Sequence, residues 1–544
     1  MYLRDYLHDI PLKALKSIAK TLEVPVEYGA RIKLINAVDR AFWDGTLTER
    51  LLEKLPEIDT RVISFLTFSF DAGIHEKELI RHTEKNVGVG DMEVKSALMR
   101  LLPLALVGGV KENDNLFFCP KGIDVQVRKI LLKDLFSQSD SAYKIPSASP
   151  SNLIEDIFSF LAEAYKGKIP LTLMGKIKKT FLDRVYSGSA TCSTFSPGIT
   201  EEKRNSFISD YLKSRGLISY GRRKAYSSEK LSGWLQLTVT ERLQDIVSYA
   251  LKSVLQDEYT IIAFTGIMNE TPAGAEFSSS ALAQFLHTWT MAPGDLTRLE
   301  IQLRDMLSIL YHTGLLAFRN NRFIMTISGE RLFNGESLFW DESISDFFMV
   351  QPNFEVIVGP EIHPATRFKL ELLTTRKNRD MVLTYDITQL GITRARERGM
   401  DTNSILRFFE QHSRTPIPQN VRFSIEKWAE AYGSIYFDKV TLMRFRDTAY
   451  CKSVMHLPDI RPFIKEQLTD TVIVISRDRV SKIIEILKKA GYQPELFGES
   501  PVQTTSAPET FKIHSINDII NETKMPAIHS EFIFPEEPFA DGES

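Results

Sequence analysis

Cysteine is nearly absent: Cys119, Cys192 and Cys451 are the only three in 544 residues, each far from the next. That excludes a disulfide framework and a paired-cysteine metal site, and it fits a reducing cytoplasm. Long apolar runs are missing too. The longest, Leu101–Val107 and Val472–Ile475, fall well short of the roughly 18–20 residues a bilayer span needs. The opening Met1-Tyr2-Leu3-Arg4-Asp5 lacks the basic-then-apolar layout of a secretory signal. Neither sign of charge is in excess, with 67 Lys and Arg against 70 Asp and Glu and a formal net charge of −3. Any surface for nucleic acid must therefore be a local basic patch on a near-neutral body.

The chemical motifs that announce an enzyme are also missing. A phosphate-cradling loop needs glycines, then Lys and a hydroxyl, at fixed spacing. Gly167 to Gly175-Lys176-Ile177 has the wrong spacing and no hydroxyl. Gly88-Val89-Gly90 continues to Glu93 where a dinucleotide fingerprint requires glycine. His75-Glu76 has Leu79 where a zinc-protease helix would place its second histidine, and Ser189 lacks the flanking glycines of a nucleophile elbow. The ten histidines are scattered. These absences predict no catalytic, cofactor or metal site, and a protein that is not an enzyme.

What is present is apolar content, 43% with 34 Phe, enough for several buried cores. Residues 1–50 show helical spacing in Leu12, Leu15, Ile18, Ala19 and Leu22, broken at Pro25–Gly29 and resumed in Ile32–Phe42. This predicts a small helical module that either binds DNA or packs on the next domain. From about 55 to 335 one pattern recurs: amphipathic helices ending in a leucine-rich turn, then strand, turn and strand. The copies centre on Val94–Phe118, on Phe207–Val239, whose returning strand is expected at Leu235–Val239, and on Ile301–Met325. Three helices followed by a two-stranded ribbon make a winged helix, and the pattern predicts three in tandem, at 55–136, 151–240 and 245–335. Ser137–Pro150 reads as a linker, and Ser187–Gly198 and Gly266–Ser280 as internal loops.

A winged helix reaches DNA by placing its last helix in a major groove and its hairpin tip on phosphate or the minor groove. The second copy has the cations for this: Lys203, Arg204, Lys213 and Arg215 on or beside the last helix, and Arg222, Arg223 and Lys224 at the tip. The first tip pairs Lys111 with Glu112 and Asp114, and the third has Arg319 and Arg322. The alternative for the second copy is a solvated charged face on a protein-docking module.

Near 345 the pattern turns to mixed strands and helices. Strands are expected at Phe347–Val350, Val356–Val358, Val382–Tyr385, Ile435–Phe437 and Val472–Ile475. Helices are expected at Pro364–Leu373, Thr388–Arg398, Asn403–Gln411 capped by Asp401 or Thr402, from Ser424 through Trp428, and Val480–Ala490. His412–Val421, stiffened by Pro416 and Pro418, reads as a non-helical link. Arg367, Lys369, Arg376, Lys377 and Arg379 cluster in sequence, and Arg394 and Arg398 share a helix face that either binds phosphate or is simply solvated. Arg414, Gln419, Asn420 and Arg422 suit base edges or a partner's backbone, or else Gln419 and Asn420 satisfy a turn left short of donors. Trp428, with Ile425 and Tyr432, reads as core. Residues 498–544, with Glu536, Glu537, Asp541 and Glu543, read as a disordered acidic tail.

Gln351-Pro352-Asn353 with Glu355-Val356, then Leu383-Thr384-Tyr385-Asp386-Ile387-Thr388, then His412-Ser413, Pro416, Pro418-Gln419-Asn420-Val421 and Trp428, carry a resemblance. In that order they resemble the domain preceding the motor in XPB-type DNA repair helicases, which also ends a bacterial family of helicase-associated proteins. The resemblance covers about 345–476. It implies a duplex- or damage-sensing and partner-docking element, although no motor follows it here. The fold class expected is thus multidomain α+β: an N-terminal helical module, tandem winged helices, and a mixed α/β XPB N-terminal-like domain at 345–497. The expected function is a non-catalytic, cytoplasmic, DNA-binding scaffold in DNA repair or transcription-coupled processes. Its partners would be duplex or forked DNA and a separate helicase or nuclease, with no membrane and no cofactor. The alternatives are a pure protein-interaction subunit and a winged-helix transcription regulator.

Overall fold

The computed structural model describes residues 1–24, 31–43, 45–69, 73–111, 114–138, 152–166, 169–173, 177–186, 200–220, 224–227, 230–338, 344–359, 361–378, 382–434, 440–495 and 531–532. Outside them lie Glu112, most of the 137–150 linker, the 187–198 loop, Arg222 and Arg223, Arg379, the strand expected at 435–437, and nearly all of the tail. The chain is a mixed α/β protein, rich in helix with several small antiparallel sheets. It divides into two compact units: residues 1–391, 409–417 and 509–544 in one, and 392–408 and 418–508 in the other.

In the larger unit one order of elements occurs three times: helix, short strand, helix, helix, two-stranded ribbon. The first copy is Glu57–Ser69, Ile74–His75, Glu76–Val87, Asp91–Leu101 and the ribbon Gly108–Lys111 with Leu116–Phe118. The second is Asn152–Lys166, Ile169–Pro170, Lys179–Tyr186, Glu201–Ser214 and Ile218–Tyr220 with Lys224–Ser227. The third is Glu258–Asn269, Ala275–Phe277, Ser279–Trp289, Leu296–His312 and Leu316–Arg319 with Arg322–Met325. Each short strand pairs antiparallel with the returning ribbon strand. A left-handed residue precedes each ribbon: Ala105 at φ 53°, Gly216 at 64° and Gly314 at 72°. This is the conformation that ends a helix by capping its last carbonyls and turning the chain. In the third ribbon Asn320 and Asn321 both have positive φ, as a two-residue hairpin whose twist matches its strands requires.

The helices Leu3–Asp9, Leu12–Thr21, Arg31–Ala41 and Thr46–Lys54 share one core with the first copy. Tyr6 is fully buried there, edge-on to Phe118 with ring centroids 5.7 Å apart. The second and third copies share another core, which also takes in Phe368. Ion pairs to a buried carboxylate tie first helix to third helix in two copies: Arg100 to Asp59, with bonds of 2.6 and 2.8 Å, and Arg204 to Asp156 at 3.1 Å.

Several expectations are corrected. Leu235–Val239 is not the second ribbon's return strand: Leu231–Gln236 and Val239–Ala250 are helices, the latter opened by a Thr238–Glu241 capping box, and Lys224–Ser227 is the strand. Leu235 is buried as one residue of a helical face, which an isolated apolar alternation imitates. Ser137–Gln138 is no linker but a strand beside Ala275–Phe277. Gly266–Ser280 is no open loop, since it contains the end of one helix, that strand and the N-cap Ser278.

Residues 345–391 build a four-stranded antiparallel sheet in the order Met349–Val350, Glu355–Val358, Leu383–Ile387, Thr374–Arg376, with the helix Pro364–Leu373 between strands. In the smaller unit Asp401 caps its helix, its carboxylate accepting from Ser404 N at 2.6 Å. Ser424 caps nothing: the helix starts at Gln419, and Pro418 is its N-cap. Proline is well suited to that boundary, so the non-helical link ends three residues earlier than expected. Further on, the strands Thr441–Arg444, Val472–Ile475 and Ile464–Thr469 form a sheet with Val472–Ile475 central. The helices Thr448–Met455 and Val480–Lys489 cover it through Cys451, Val454, Ile483 and Leu487.

Candidate nucleic-acid interface

Where each cation's charge is compensated decides what it can bind. On the helix Glu201–Ser214 three of the four expected contact residues are engaged by the fold. Lys203 Nζ lies 2.8 Å from Asp305 on the third copy's helix Leu296–His312. Arg204 is buried against Asp156. Arg215 donates from Nε to Asp245 Oδ2 at 3.0 Å and from an Nη to the Asp245 carbonyl at 3.3 Å. The same carboxylate accepts from Tyr211 Oη at 2.7 Å, and Tyr211 accepts from Trp234 Nε1 at 3.0 Å. Burial first, and then the Asp245 charge, holds the Tyr211 hydroxyl well above its ordinary pKa. Arg215 is thus held within the fold by Asp245. Lys213 stays exposed, Lys224 is in a ribbon strand, and Arg222 and Arg223 are outside the described residues.

In the cluster near 367–379, Arg367 and Arg376 are likewise packed against acids of the fold, whereas Lys369 is exposed and Arg379 lies outside the described residues. Arg367 makes two 2.5 Å bonds to Glu155 of the helix Asn152–Lys166, with its guanidinium 4.6 Å from the Phe158 ring centroid. Arg376 bonds Glu371 and Ser159, and Tyr385 Oη donates to Glu371 at 2.9 Å. These residues clamp the 345–391 sheet to the second copy. Lys377 lies between Glu355 at 2.7 Å and Asp386 at 3.3 Å. Arg414 lies 3.5 Å from Glu361.

In the smaller unit Arg394 is half-buried and Arg398 is exposed just past the end of the helix Gln389–Glu397, so the two do not share a helical face to its end. Gln419 and Asn420 are exposed in the first turn of their helix, and Arg422 sits 3.9 Å from Glu426. Trp428 is half-buried, and the exposed aromatic of that helix is Phe423.

A concentration of charge without acidic partners lies elsewhere, in a stretch where the sequence alone suggested no contact residue. Residues 440–495 carry ten Lys and Arg against seven Asp and Glu. Ile464 pairs with Ile475, and Ser476 N donates to the Phe463 carbonyl at 3.0 Å, so the start of one strand and the end of the next meet at one end of the sheet. Arg461, Lys465 and Arg477 gather there, exposed and without an ion pair among the described residues. Lys482 Nζ adds a fourth charge, 5.6 Å from the Phe463 ring centroid. A local cation excess in a chain of net −3 was the available signal. Among the described residues no group of His, Cys, Asp and Glu is placed to hold a metal ion, and no helix is long and apolar enough to cross a membrane.

Residues 348–469 match the family described as helicase conserved C-terminal domain. This likeness points to a helicase-related function. The matched segment is less than a quarter of the chain and ends within the basic sheet, just past Lys465. The match corrects the expectation of a non-enzyme, since a domain of this kind points to a helicase-type protein and through it to nucleic acid. No curated protein matches the chain.

Proposed function

We propose that this helicase-type protein holds duplex nucleic acid on the basic sheet end formed by Arg461, Lys465, Arg477 and Lys482. The observation that carries this reading is that these cations have no ion pair among the described residues, while Lys203, Arg204 and Arg215 of the second copy each meet a carboxylate of the fold. Clustered cations without carboxylate partners release counterions when they meet phosphate, and that release drives sequence-independent binding. In the same reading the three repeated element sets are winged helices. The third keeps an exposed Arg298 near the start of its last helix. The 345–391 sheet acts as the XPB-type element, in DNA repair, next to a helicase or nuclease partner. The setting is the cytoplasm, which suits Cys119 and Cys451 as buried free thiols; burial pushes the Cys119 thiol up to about 12.

The test is electrophoretic mobility of the full chain with duplex, forked and single-stranded DNA at low salt. Charge reversal of Arg461, Lys465 and Arg477 together should weaken duplex binding equally for all sequences. It should also flatten the salt dependence by about one unit of slope for each phosphate that is no longer neutralised. Unchanged duplex affinity and slope would refute the assignment.

A further inference from the structure

We infer that a cleft at the base of the N-terminal helices binds an unstacked nucleobase with its phosphate, delivered by a nucleic-acid single strand. The inference rests on the nucleic-acid reading above but uses different residues in the other unit. The cleft is about 290 Å³ and is lined by Tyr2, Arg4, Asp39, Phe42, Trp43, Lys121, Ile123 and Gln126, among others.

Two of its three aromatic rings, those of Tyr2 and Trp43, are held out in water by anchored backbone. Tyr2 bridges Lys121 in parallel, with Leu3 N donating to the Lys121 carbonyl at 3.3 Å and Lys121 N to the Met1 carbonyl at 2.9 Å. Phe42 is buried and its carbonyl accepts from the Gln126 side chain, which fixes the backbone just before Trp43. Yet the Trp43 residue is 81% exposed and Tyr2 is 64% exposed. Large rings on rigid supports at the edge of a cavity are the arrangement on which bases stack, whatever their identity. The floor is apolar, with Phe42 and Ile123 buried. Arg4 is steadied by Asn36, to which it donates at 3.1 Å, and with Lys121 it supplies positive charge for a phosphate. Asp39 is the lining acid, and a carboxylate accepts well from the exocyclic amine of a base. Exposed aromatic rings, two cations and one acceptor match a nucleobase-plus-phosphate unit. A duplex does not present its base faces.

The experiment is a titration of the full chain with a mixed-sequence single-stranded oligonucleotide, a duplex of equal length and a mononucleotide. Trp43 is exposed, so W43A should leave the fold intact, which circular dichroism checks. W43A should weaken single-strand binding about tenfold, W43F should retain most of it, and K121E should weaken it again. Duplex binding should not change in W43A, because it reports the Arg461 end of the other unit; loss of duplex binding alone would overturn only that reading. Single-strand affinity indifferent to W43A would overturn the cleft. A mononucleotide binding as tightly as the oligonucleotide would overturn the strand as the source of the base.

Discussion

Replacing Asp245 with alanine should open the second repeat locally without touching nucleic-acid affinity. Asp245 is fully buried and is the meeting point of Arg215, Tyr211 and, through Tyr211, Trp234. Arg215 also lies over Tyr249, 5.6 Å from the ring centroid, so its guanidinium cannot swing to water without breaking that packing. Removing one partner of a buried pair costs about 3–5 kcal/mol, because the remaining charge stays in a low-dielectric interior. Each 1.4 kcal/mol is a factor of ten in an opening equilibrium, so protection should fall by roughly two to four orders of magnitude. Hydrogen exchange followed by mass spectrometry reads this directly in peptides from Glu201–Ser214 and Val239–Ala250, where global denaturation of a two-unit chain would blur it. D245N keeps volume and some hydrogen bonding and should cost less than D245A. Substituting Asp245 and Arg215 together by apolar residues should recover much of the stability, since the unpaired charge is gone. Wild-type protection in D245A, or weaker DNA binding in R215A, would show Arg215 to be a surface contact and refute the reasoning.

Acid should loosen the junction of the second and third repeats through His312. Burial, and secondarily the nearby Arg204 charge, lower its pKa from 6.5 to about 4, so the folded chain keeps it neutral while the unfolded chain takes up a proton. The associated stability is present above pH 6.5 and is lost as pH falls towards 4, about 3 kcal/mol in all. Denaturation midpoints of wild type and H312Q should therefore diverge in acid and run parallel above pH 7; parallel curves throughout would exclude the effect. Gly391 has no room for a methyl group, since a Cβ there would strike the Leu373 carbonyl. G391A should therefore push the helix Gln389–Glu397 off the strand Thr374–Arg376 and raise proteolysis around 374–391, whereas G399A, with open space around it, should be milder and act only through its φ of 85°.

Elements with a strong local period were legible in the sequence. The helix Pro364–Leu373 and the strand Val472–Ile475 lie at the expected residues, the first opened by proline and the second a run of branched side chains. The strands Ile74–His75 and Ile169–Pro170 went unread, because two residues carry no period and their pairing partners lie far along the chain, at Phe117 and Ala225. Leu235–Val239 differs from the expected strand because alternation over five residues fits a strand as well as the end of one helix and the start of the next.

The sequence by itself determined the modular alternation of helices and ribbons, the absence of a long apolar span and the near-zero charge. All of these follow from local spacing and composition. Only the tertiary structure decided which cations are paired with an acid. Arg204, Arg215, Arg367 and Arg376 look the same in the sequence as Arg461 and Arg477, but folding brings Asp156, Asp245, Glu155 and Glu371 against the first four and, among the described residues, brings no carboxylate against the other two. Charge compensation acts over a few ångströms of space, and a linear sequence does not record those separations.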